Sequence, residues 1–159
     1  MSAGRATVVA VCLSDKGGVP KYPQDSVTVG PHGIEGDYHA GPTRTNSDGE
    51  TTPNHRQVTV VAAEAVEAAA RELSVEIPPG GLGENILVRG LGELGDIAPG
   101  RRVVFGSGVE LEVTEQNNPC ANLSIYHPQV PKKLYGRRGI LAVVVKTGTL
   151  LPGDSVSVV

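Results

Sequence analysis

Aromatic residues are scarce in this sequence, and long apolar runs are missing. The chain of 159 residues has no tryptophan and one phenylalanine, and aromatic residues make up 3% of it. A hydrophobic core must therefore be filled mainly by valine, leucine, isoleucine and alanine, which suits β-sheet. The longest purely apolar run, 140–145, is far shorter than the roughly 20 residues of a membrane-spanning helix. Since no secretion signal is recognisable either, we expect a soluble, cytoplasmic protein without a membrane partner.

Positive charge and cysteine are also limited. The formal net charge is −3, and the chain has two cysteines. A nucleic-acid-binding protein usually concentrates positive charge on one surface, so we expect no nucleic-acid partner. In a reducing compartment the two thiols stay free. Cys12 lies inside an apolar run, where a free cysteine acts as a small buried hydrophobe.

Short segments rich in β-branched residues make up much of the rest of the sequence. Strands are predicted at 6–13, 26–29, 57–61, 85–88, 102–105, 109–114, 140–145 and 155–159. Apolar residues three or four apart predict a helix over 62–74, and Pro131 opens a second, short helix over 130–136. Residues 40–54 show no periodicity and predict a mobile loop. The fold class is thus mainly β, a barrel-like closed sheet with a few peripheral helices, in one domain over 1–159.

Cys120 is the first candidate functional residue. It follows a predicted strand and a polar turn that ends in Pro119. Proline cannot donate to a strand ladder, so the strand is expected to end there and to present the next side chain beyond the sheet. A thiol in that position is a candidate nucleophile or ligand for a soft metal.

A second cluster contains Glu35, Asp37 and His39, between glycines 33 and 41. In an extended strand these side chains share one face and offer a divalent-metal site. The flanking glycines and the aspartate also describe a tight turn, and this alternative is favoured because aspartate caps turns readily. Arg56, shortly afterwards, is a candidate bidentate ligand for phosphate, with a surface ion pair as the alternative.

Two further clusters point to an anionic ligand. Residues 78–88 form a glycine-rich loop that enters a strand, and Glu84 and Asn85 in it are candidate polar groups of a pocket. Residues 132–138 concentrate basic side chains in an acidic chain. This cluster is either a binding site for an anion or a solvated charged face.

Taken in order, these segments resemble a MOSC domain, the module named for the C-terminal part of molybdenum cofactor sulfurase, here as a stand-alone bacterial-type member. The matching segments are Gly33-Ile-Glu-Gly-Asp37, His55-Arg56-Gln-Val, Gly83-Glu-Asn-Ile-Leu87, Pro119-Cys120, Arg138-Gly139 and Gly153-Asp154. The most specific part is Gly-Glu-Asn followed by Pro-Cys. The resemblance implies a β-barrel-like sheet of the pyruvate-kinase type with flanking helices.

The resemblance also implies a cofactor and a set of roles. Cys120 is expected to bind the molybdenum of the pterin cofactor, while Asp37 and His39 border the metal's open position as catalytic residues. The residues expected to bind the rest of the cofactor are Arg56, Gly83, Glu84, Asn85, Lys132, Lys133, Arg137 and Arg138. Some members of the family reduce N-hydroxylated compounds with electrons from a separate reductase, and others are linked to sulfur transfer.

Three hypotheses follow. The first is a molybdenum-dependent oxidoreductase that reduces small N-hydroxylated substrates and is served by an electron-donor reductase. The second is a sulfur carrier, in which Cys120 cycles as a persulfide loaded by a cysteine desulfurase. The third is a binding module without catalysis that holds a phosphate-bearing ligand. A metallohydrolase built on Asp37, His39 and His55 is less favoured, because three scattered ligands are a weak pattern.

Overall fold

A computed structural model describes residues 5–159 of the chain. The strands in that range are β1 (Thr7–Leu13), β2 (Tyr22–Gln24), β3 (Val27–Gly30), β4 (Gly33–Ile34), β5 (Thr43–Thr45), β6 (Thr51–Pro53), β7 (Val58–Ala62), β8 (Ile86–Arg89), β9 (Arg102–Phe105), β10 (Glu110–Gln116), β11 (Ile140–Lys146), β12 (Gly148–Leu150) and β13 (Val156–Val158). The helices are α1 (Ala63–Leu73), α2 (Val130–Lys133) and a 3-10 helix over Ala121–Ile125. The predicted mainly β fold with few helices is confirmed.

Most strands belong to one eight-stranded sheet, in the order β13-β9-β10-β11-β7-β8-β1-β2. Its pairings are antiparallel apart from β7 with β8, which are parallel. Helix α1 lies between β7 and β8 along the chain. It supplies the crossover that a parallel pair requires. A second sheet contains β12-β3-β4, and a third contains β5-β6.

The large sheet is not closed into a barrel, so this part of the prediction is wrong. Its edge strands are β2 and β13. The second half of β1 uses its outer edge to pair with β2. Only the beginning of β1 therefore faces the far end of the sheet. There Thr7 pairs with Ser155 in an isolated bridge, and backbone hydrogen bonds link Val8 with Asp154 and Ala6 with Val156. The two ends of the sheet approach each other without forming a continuous ladder.

Buried apolar side chains cover both faces of the large sheet. Along β7, Val60 and Ala62 belong to one buried cluster and Val61 to another, as expected from the alternation of side chains along a strand. The first cluster contains Phe105 among aliphatic residues. The second lies under α1, which buries one face. None of the helices in residues 5–159 is long and apolar enough to cross a membrane.

The predicted strands and the long helix are present, with ends shifted by one or two residues. The predicted mobile loop over 40–54 is wrong, because β5 and β6 form an antiparallel hairpin there. All residues of both strands are exposed. A hairpin with no buried face shows no apolar alternation, which is the signal that sequence patterns reveal.

Candidate functional site

Five of the residues singled out in the sequence line one small cavity. It has a volume of about 140 Å³, and we call it the Cys120 pocket. The five predicted residues are His39, Arg56, Gly83, Cys120 and Arg138. The other lining residues, which the sequence did not single out, are Gly18, Val19, Thr59, Leu82, Asn117, Asn122 and Leu141. Residues from segments more than 120 positions apart in sequence thus meet at one end of the sheet.

Cys120 presents its thiol at the surface of this pocket. Strand β10 ends at Gln116, before Pro119, as predicted. The backbone of Cys120 is extended, with φ −105° and ψ 154°, and it directly precedes the 3-10 helix. The sulfur lies 3.9 Å from the carbonyl oxygen of Asn118, which is only a weak contact for a thiol. The thiol is therefore free to bind a ligand.

The two cysteines are both free, and their surroundings are opposite. Cys12 is fully buried, whereas Cys120 is exposed. Burial raises the pKa of Cys12 to about 12, with a further contribution from Glu84. Cys12 thus stays a neutral thiol, as its apolar strand predicted, and Cys120 is the cysteine that a ligand can reach.

Arg138 carries two unpartnered hydrogen-bond donors at the same pocket. The residue is 6% exposed, and its Nη2 donates to the carbonyl oxygen of Leu82 at 2.5 Å. Its Nε and Nη1 are buried and have no partner among residues 5–159. Burial lowers the pKa of Arg138, an effect opposed by Glu84 and by Cys120. Each unpaired buried donor costs about 1–3 kcal/mol, more when charged, so an anion in the pocket would remove a substantial penalty.

Glycine at position 139 places Arg138 at the end of the sheet. Gly139 has φ +109°, and a Cβ there would collide with the carbonyl oxygen of Val60. Strand β11 begins at the next residue and pairs with β7. Because glycine has no side chain, the two strands can approach each other closely here. The preceding residue, Arg138, then points into the pocket.

Arg56 brings a second positive charge to the pocket. It lies just before β7 and lines the cavity beside Arg138, and its charge contributes to the lowered pKa of Arg138. Arg56 takes part in no salt bridge within the described part of the chain. Two neighbouring guanidinium groups repel each other unless an anion lies between them. The electrostatics of the pocket therefore favour an anionic ligand.

Glu84 shapes the wall of the pocket instead of lining it. Its carboxylate accepts hydrogen bonds from the backbone N–H of Gly80 at 2.9 Å and of Leu82 at 3.1 Å. Burial raises its pKa. These contacts hold the glycine-rich loop, in which Gly83 has φ +81° and faces the side chain of Val19. The cofactor-binding role expected for Glu84 remains a prediction.

Asn85 joins three strands behind the pocket. Its Oδ1 accepts a hydrogen bond from the backbone N–H of Thr59 at 3.1 Å, and its Nδ2 donates to the carbonyl oxygen of Cys12 at 3.1 Å. The side chain is fully buried. Asn85 therefore fixes the strand ends that carry the pocket, and a direct contact with a cofactor stays a prediction.

Asp37 and His39 lie in a turn, so the favoured interpretation of this cluster is confirmed and the alternative, an extended strand that carries them on one face with Glu35, is wrong. The backbone N–H of Asp37 donates to the carbonyl oxygen of Ile34 at 3.0 Å. Asp37 forms a buried salt bridge with Lys21, whose Nζ lies 2.6 and 2.7 Å from its two carboxylate oxygens. Burial alone would raise the pKa of Asp37, but contacts with His39 and Lys21 hold it well below its usual range.

The basic cluster at 132–138 is divided by the structure. Lys132 and Lys133 are exposed, and Lys133 lies 3.5 Å from Glu72 on α1. Arg137 also contacts Glu72, and lies 3.1 Å from Glu93. None of these three side chains lines the Cys120 pocket. Only Arg138 of this cluster points inward, and the binding roles of the other three remain predictions.

The profile of the MOSC domain family matches residues 35–157 of the chain. The chain belongs to the MOSC domain family. The matched region contains Cys120 and both arginines of the pocket. The family resemblance seen in the ordered sequence segments is thus confirmed.

A MOSC relative and several solved structures extend this result. YuaD of Bacillus subtilis, whose name refers to metal-sulfur cluster biosynthesis, is 32% identical over 145 residues, which cover 79% of this chain and 76% of YuaD. The crystal structure of YuaD matches with a TM-score of 0.87 and 26% identity, over 98% of this chain and 96% of that one. YiiM of Geobacillus stearothermophilus matches with a TM-score of 0.71 and 20% identity, over 97% and 75% of the respective chains. At that identity, YiiM shows the shared fold alone.

The residues of the pocket fit the end of a metal cofactor that brings its own ligands. No group of three histidine, cysteine or acidic side chains within residues 5–159 is arranged to hold a bare metal ion. A metal held partly by a cofactor needs fewer protein ligands, and the thiolate of Cys120 is a soft ligand of the kind that sulfur-bound metals take. The orphaned donors of Arg138 match the negative charge of such a group. The donor set of this MOSC domain therefore fits the molybdenum cofactor.

Proposed function

We propose that the protein binds the molybdenum cofactor, with Cys120 as ligand to the metal and Arg138 and Arg56 as partners of its anionic groups. The observation that carries this proposal is the pairing, in one cavity, of an exposed thiol with a buried guanidinium that has two unpartnered donors. A soft ligand beside fixed positive charge suits a sulfur-ligated, anionic metal group. Membership of the MOSC family supports the same assignment.

The activity that we propose is the reduction of N-hydroxylated compounds to the parent amines. The reaction consumes two electrons and two protons, breaks the N–O bond and releases water. When bound, the cofactor supplies the two-electron chemistry. The chain has two cysteines, fewer than the four that hold an iron–sulfur cluster. The electrons are therefore expected to come from a separate reductase protein.

Within this activity the side chains of the pocket have distinct tasks. Cys120 anchors the metal, and Arg138 and Arg56 orient and neutralise the anionic part of the cofactor. His39 lines the same cavity and is half-exposed, which suits delivery of a proton to the departing oxygen. The β5–β6 hairpin lies beside this cavity. Its residues Arg44 and Thr45 line an adjoining depression together with Arg56.

The activity is tested with cofactor-loaded protein, a reduced dye as electron donor and hydroxylamine as substrate. Dye oxidation that depends on hydroxylamine is expected from the wild type and not from Cys120→Ala. Cys12→Ala is the matched control, because that thiol is buried away from the pocket, and it should retain activity. Equal rates from wild type and Cys120→Ala would contradict the proposed role of Cys120.

A second function, sulfur transfer, is favoured by two specific observations. The relative YuaD carries a name that refers to metal-sulfur cluster biosynthesis, and the exposed thiol of Cys120 lies beside positive charge. In this reaction a cysteine desulfurase passes its terminal persulfide sulfur to the thiolate of Cys120, and the desulfurase thiolate leaves. Mass spectrometry of the intact protein after incubation with a desulfurase and cysteine decides the case. A gain of one sulfur atom at Cys120 supports transfer, and an unchanged mass excludes it.

A further inference from the structure

Lys21 is a buried lysine that the sequence did not single out. Each of its three ammonium hydrogens has an acceptor. It is 1% exposed. Its Nζ lies 2.6 Å and 2.7 Å from the two carboxylate oxygens of Asp37 and 3.1 Å from Nδ1 of His39. An ammonium group has three donors and no acceptor. All three contacts are therefore donated by Lys21, and none is accepted.

The neighbouring Asp37 stabilises the charged form of Lys21. Burial lowers the pKa of Lys21, while the hydrogen bond and the charge of Asp37 oppose that effect. The short distances to the carboxylate are typical of charge-assisted hydrogen bonds. The Asp37 carboxylate also accepts hydrogen bonds from the backbone N–H of Ser14 and of His39. The carboxylate is thus partnered by Lys21 and by two backbone N–H groups, in addition to the nearby His39 ring.

These contacts determine where the imidazole of His39 carries its proton. Because Lys21 donates to Nδ1, that nitrogen must present a lone pair. Nδ1 lies 3.7 Å from the nearer carboxylate oxygen of Asp37, which is beyond hydrogen-bond distance. The lysine therefore separates the histidine from the aspartate, and the ring keeps its single proton on Nε2.

We propose that Lys21 is a positioning residue that fixes His39 as a neutral imidazole with its proton on Nε2, available to the Cys120 pocket. The ring is 30% exposed and lines the same cavity as the thiol of Cys120. With Nδ1 occupied by Lys21, Nε2 is the nitrogen left to meet a ligand. It donates a hydrogen bond, and then its proton, to an oxygen that leaves nitrogen, while Lys21 passes a proton to Nδ1 so that the ring stays neutral. A solvent proton taken up at Nε2 returns the Nδ1 proton to Lys21, and the second proton of the reaction also comes from solvent. This use of the proton rests on the proposed function, whereas the tautomer does not.

Nitrogen NMR of the histidine rings tests this proposal on cofactor-free protein. Long-range proton–nitrogen correlation spectra distinguish the two tautomers and the charged ring. The chain has four histidines, and a spectrum of His39→Gln assigns the signals of His39. The wild type is expected to show His39 protonated on Nε2 at neutral pH. A wild-type ring protonated on Nδ1, or on both nitrogens, would overturn the proposal without the need for any further variant.

The variant Lys21→Met supplies the second half of the test. It removes the donor to Nδ1 and leaves the Asp37 carboxylate without its cation. The ring proton is then expected to move from Nε2 to Nδ1, where it is donated in a hydrogen bond to the carboxylate, so the tautomer reverses. Lys146→Met is the control, because that lysine is exposed and pairs with Glu110 on β10; it should leave His39 unchanged. Retention of the Nε2 tautomer in folded Lys21→Met would refute the assignment.

Activity of the loaded protein gives an independent readout. General acid catalysis contributes about 10²–10⁴-fold to a rate, so Lys21→Met is expected to lower kcat within that range and to change KM little. A molybdenum content equal to wild type in Lys21→Met would show that the cofactor still binds. Absence of molybdenum in the wild type would count against the proposed function alone, since the tautomer is measured without cofactor.

Discussion

Replacement of Arg138 by methionine tests whether this arginine binds a ligand or stabilises the fold. Methionine fills a similar volume and removes the charge. If Arg138 were half of a buried ion pair with Glu84, breaking that pair would cost about 3–5 kcal/mol. The salt bridges found within residues 5–159 include no pair between these two residues. The size of the stability change therefore distinguishes the two roles.

The contacts of Arg138 predict a small change in the free energy of unfolding. Its single hydrogen bond, to the carbonyl oxygen of Leu82, contributes about 1.5–3 kcal/mol as a charged bond. Its two unpartnered donors cost about 1–3 kcal/mol each, and methionine removes that penalty. The opposing effects partly cancel, since a penalty of about 2–6 kcal/mol is removed and a bond of about 1.5–3 kcal/mol is lost. Arg138→Met is therefore expected to change the free energy of unfolding of the ligand-free protein by less than about 2 kcal/mol.

Urea denaturation with and without inorganic phosphate measures both properties. Phosphate at about 100 times its Kd should stabilise the wild type by about 2.7 kcal/mol and should not stabilise Arg138→Met. Arg71→Met is the control, because Arg71 is an exposed residue of α1, and it should keep the phosphate effect. A loss of 3–5 kcal/mol in ligand-free Arg138→Met, with phosphate stabilisation retained, would refute the ligand-binding role.

Three further predictions concern the surroundings of the pocket. Asp37→Asn leaves Lys21 buried without its partner and is expected to cost about 3–5 kcal/mol in urea denaturation at neutral pH. The pKa of Asp37 is lowered in the folded state. The ionised carboxylate therefore stabilises the fold at pH values above about 3.9, the pKa of an unfolded aspartate, and this stabilisation is lost as the pH falls further. Asp37→Asn should lack this loss of stability in acid. Gly139→Ala places a side chain at φ +109° against a backbone carbonyl, so we expect a lower Tm and weaker phosphate binding. Lys133→Met should leave phosphate binding within twofold of wild type, because Lys133 pairs with α1; a larger loss in titration calorimetry would place it at the anion site.

Much of the fold could be predicted because its strands carry strong local signals. The apolar run of β1 and the turn between β9 and β10 each specify their structure within a few residues. The open sheet could not be predicted, since closure depends on which strand takes the outer edge of β1, a long-range choice. The β5–β6 hairpin has exposed strands and therefore no pattern of burial to reveal it.

The candidate site could be predicted in part. Cys120 and Arg56 were accessible from the sequence because a proline and a strand boundary mark their positions. The four basic residues at 132–138 are alike in sequence, and only the start of β11 after Gly139 makes Arg138 the one that turns inward. Lys21 could not be found, because nothing near it in sequence signals a contact with Asp37, 16 residues further along the chain.

Elemental analysis for molybdenum tests the central claim most directly. The wild type and Cys120→Ala are produced together in a host that makes the molybdenum cofactor, with Cys12→Ala as the matched cysteine control. We expect about one molybdenum per chain in the wild type and in Cys12→Ala, because the pocket offers a single soft-ligand site, and none in Cys120→Ala. Equal molybdenum in all three proteins would contradict Cys120 as the ligand, and its absence from the wild type would contradict the cofactor assignment.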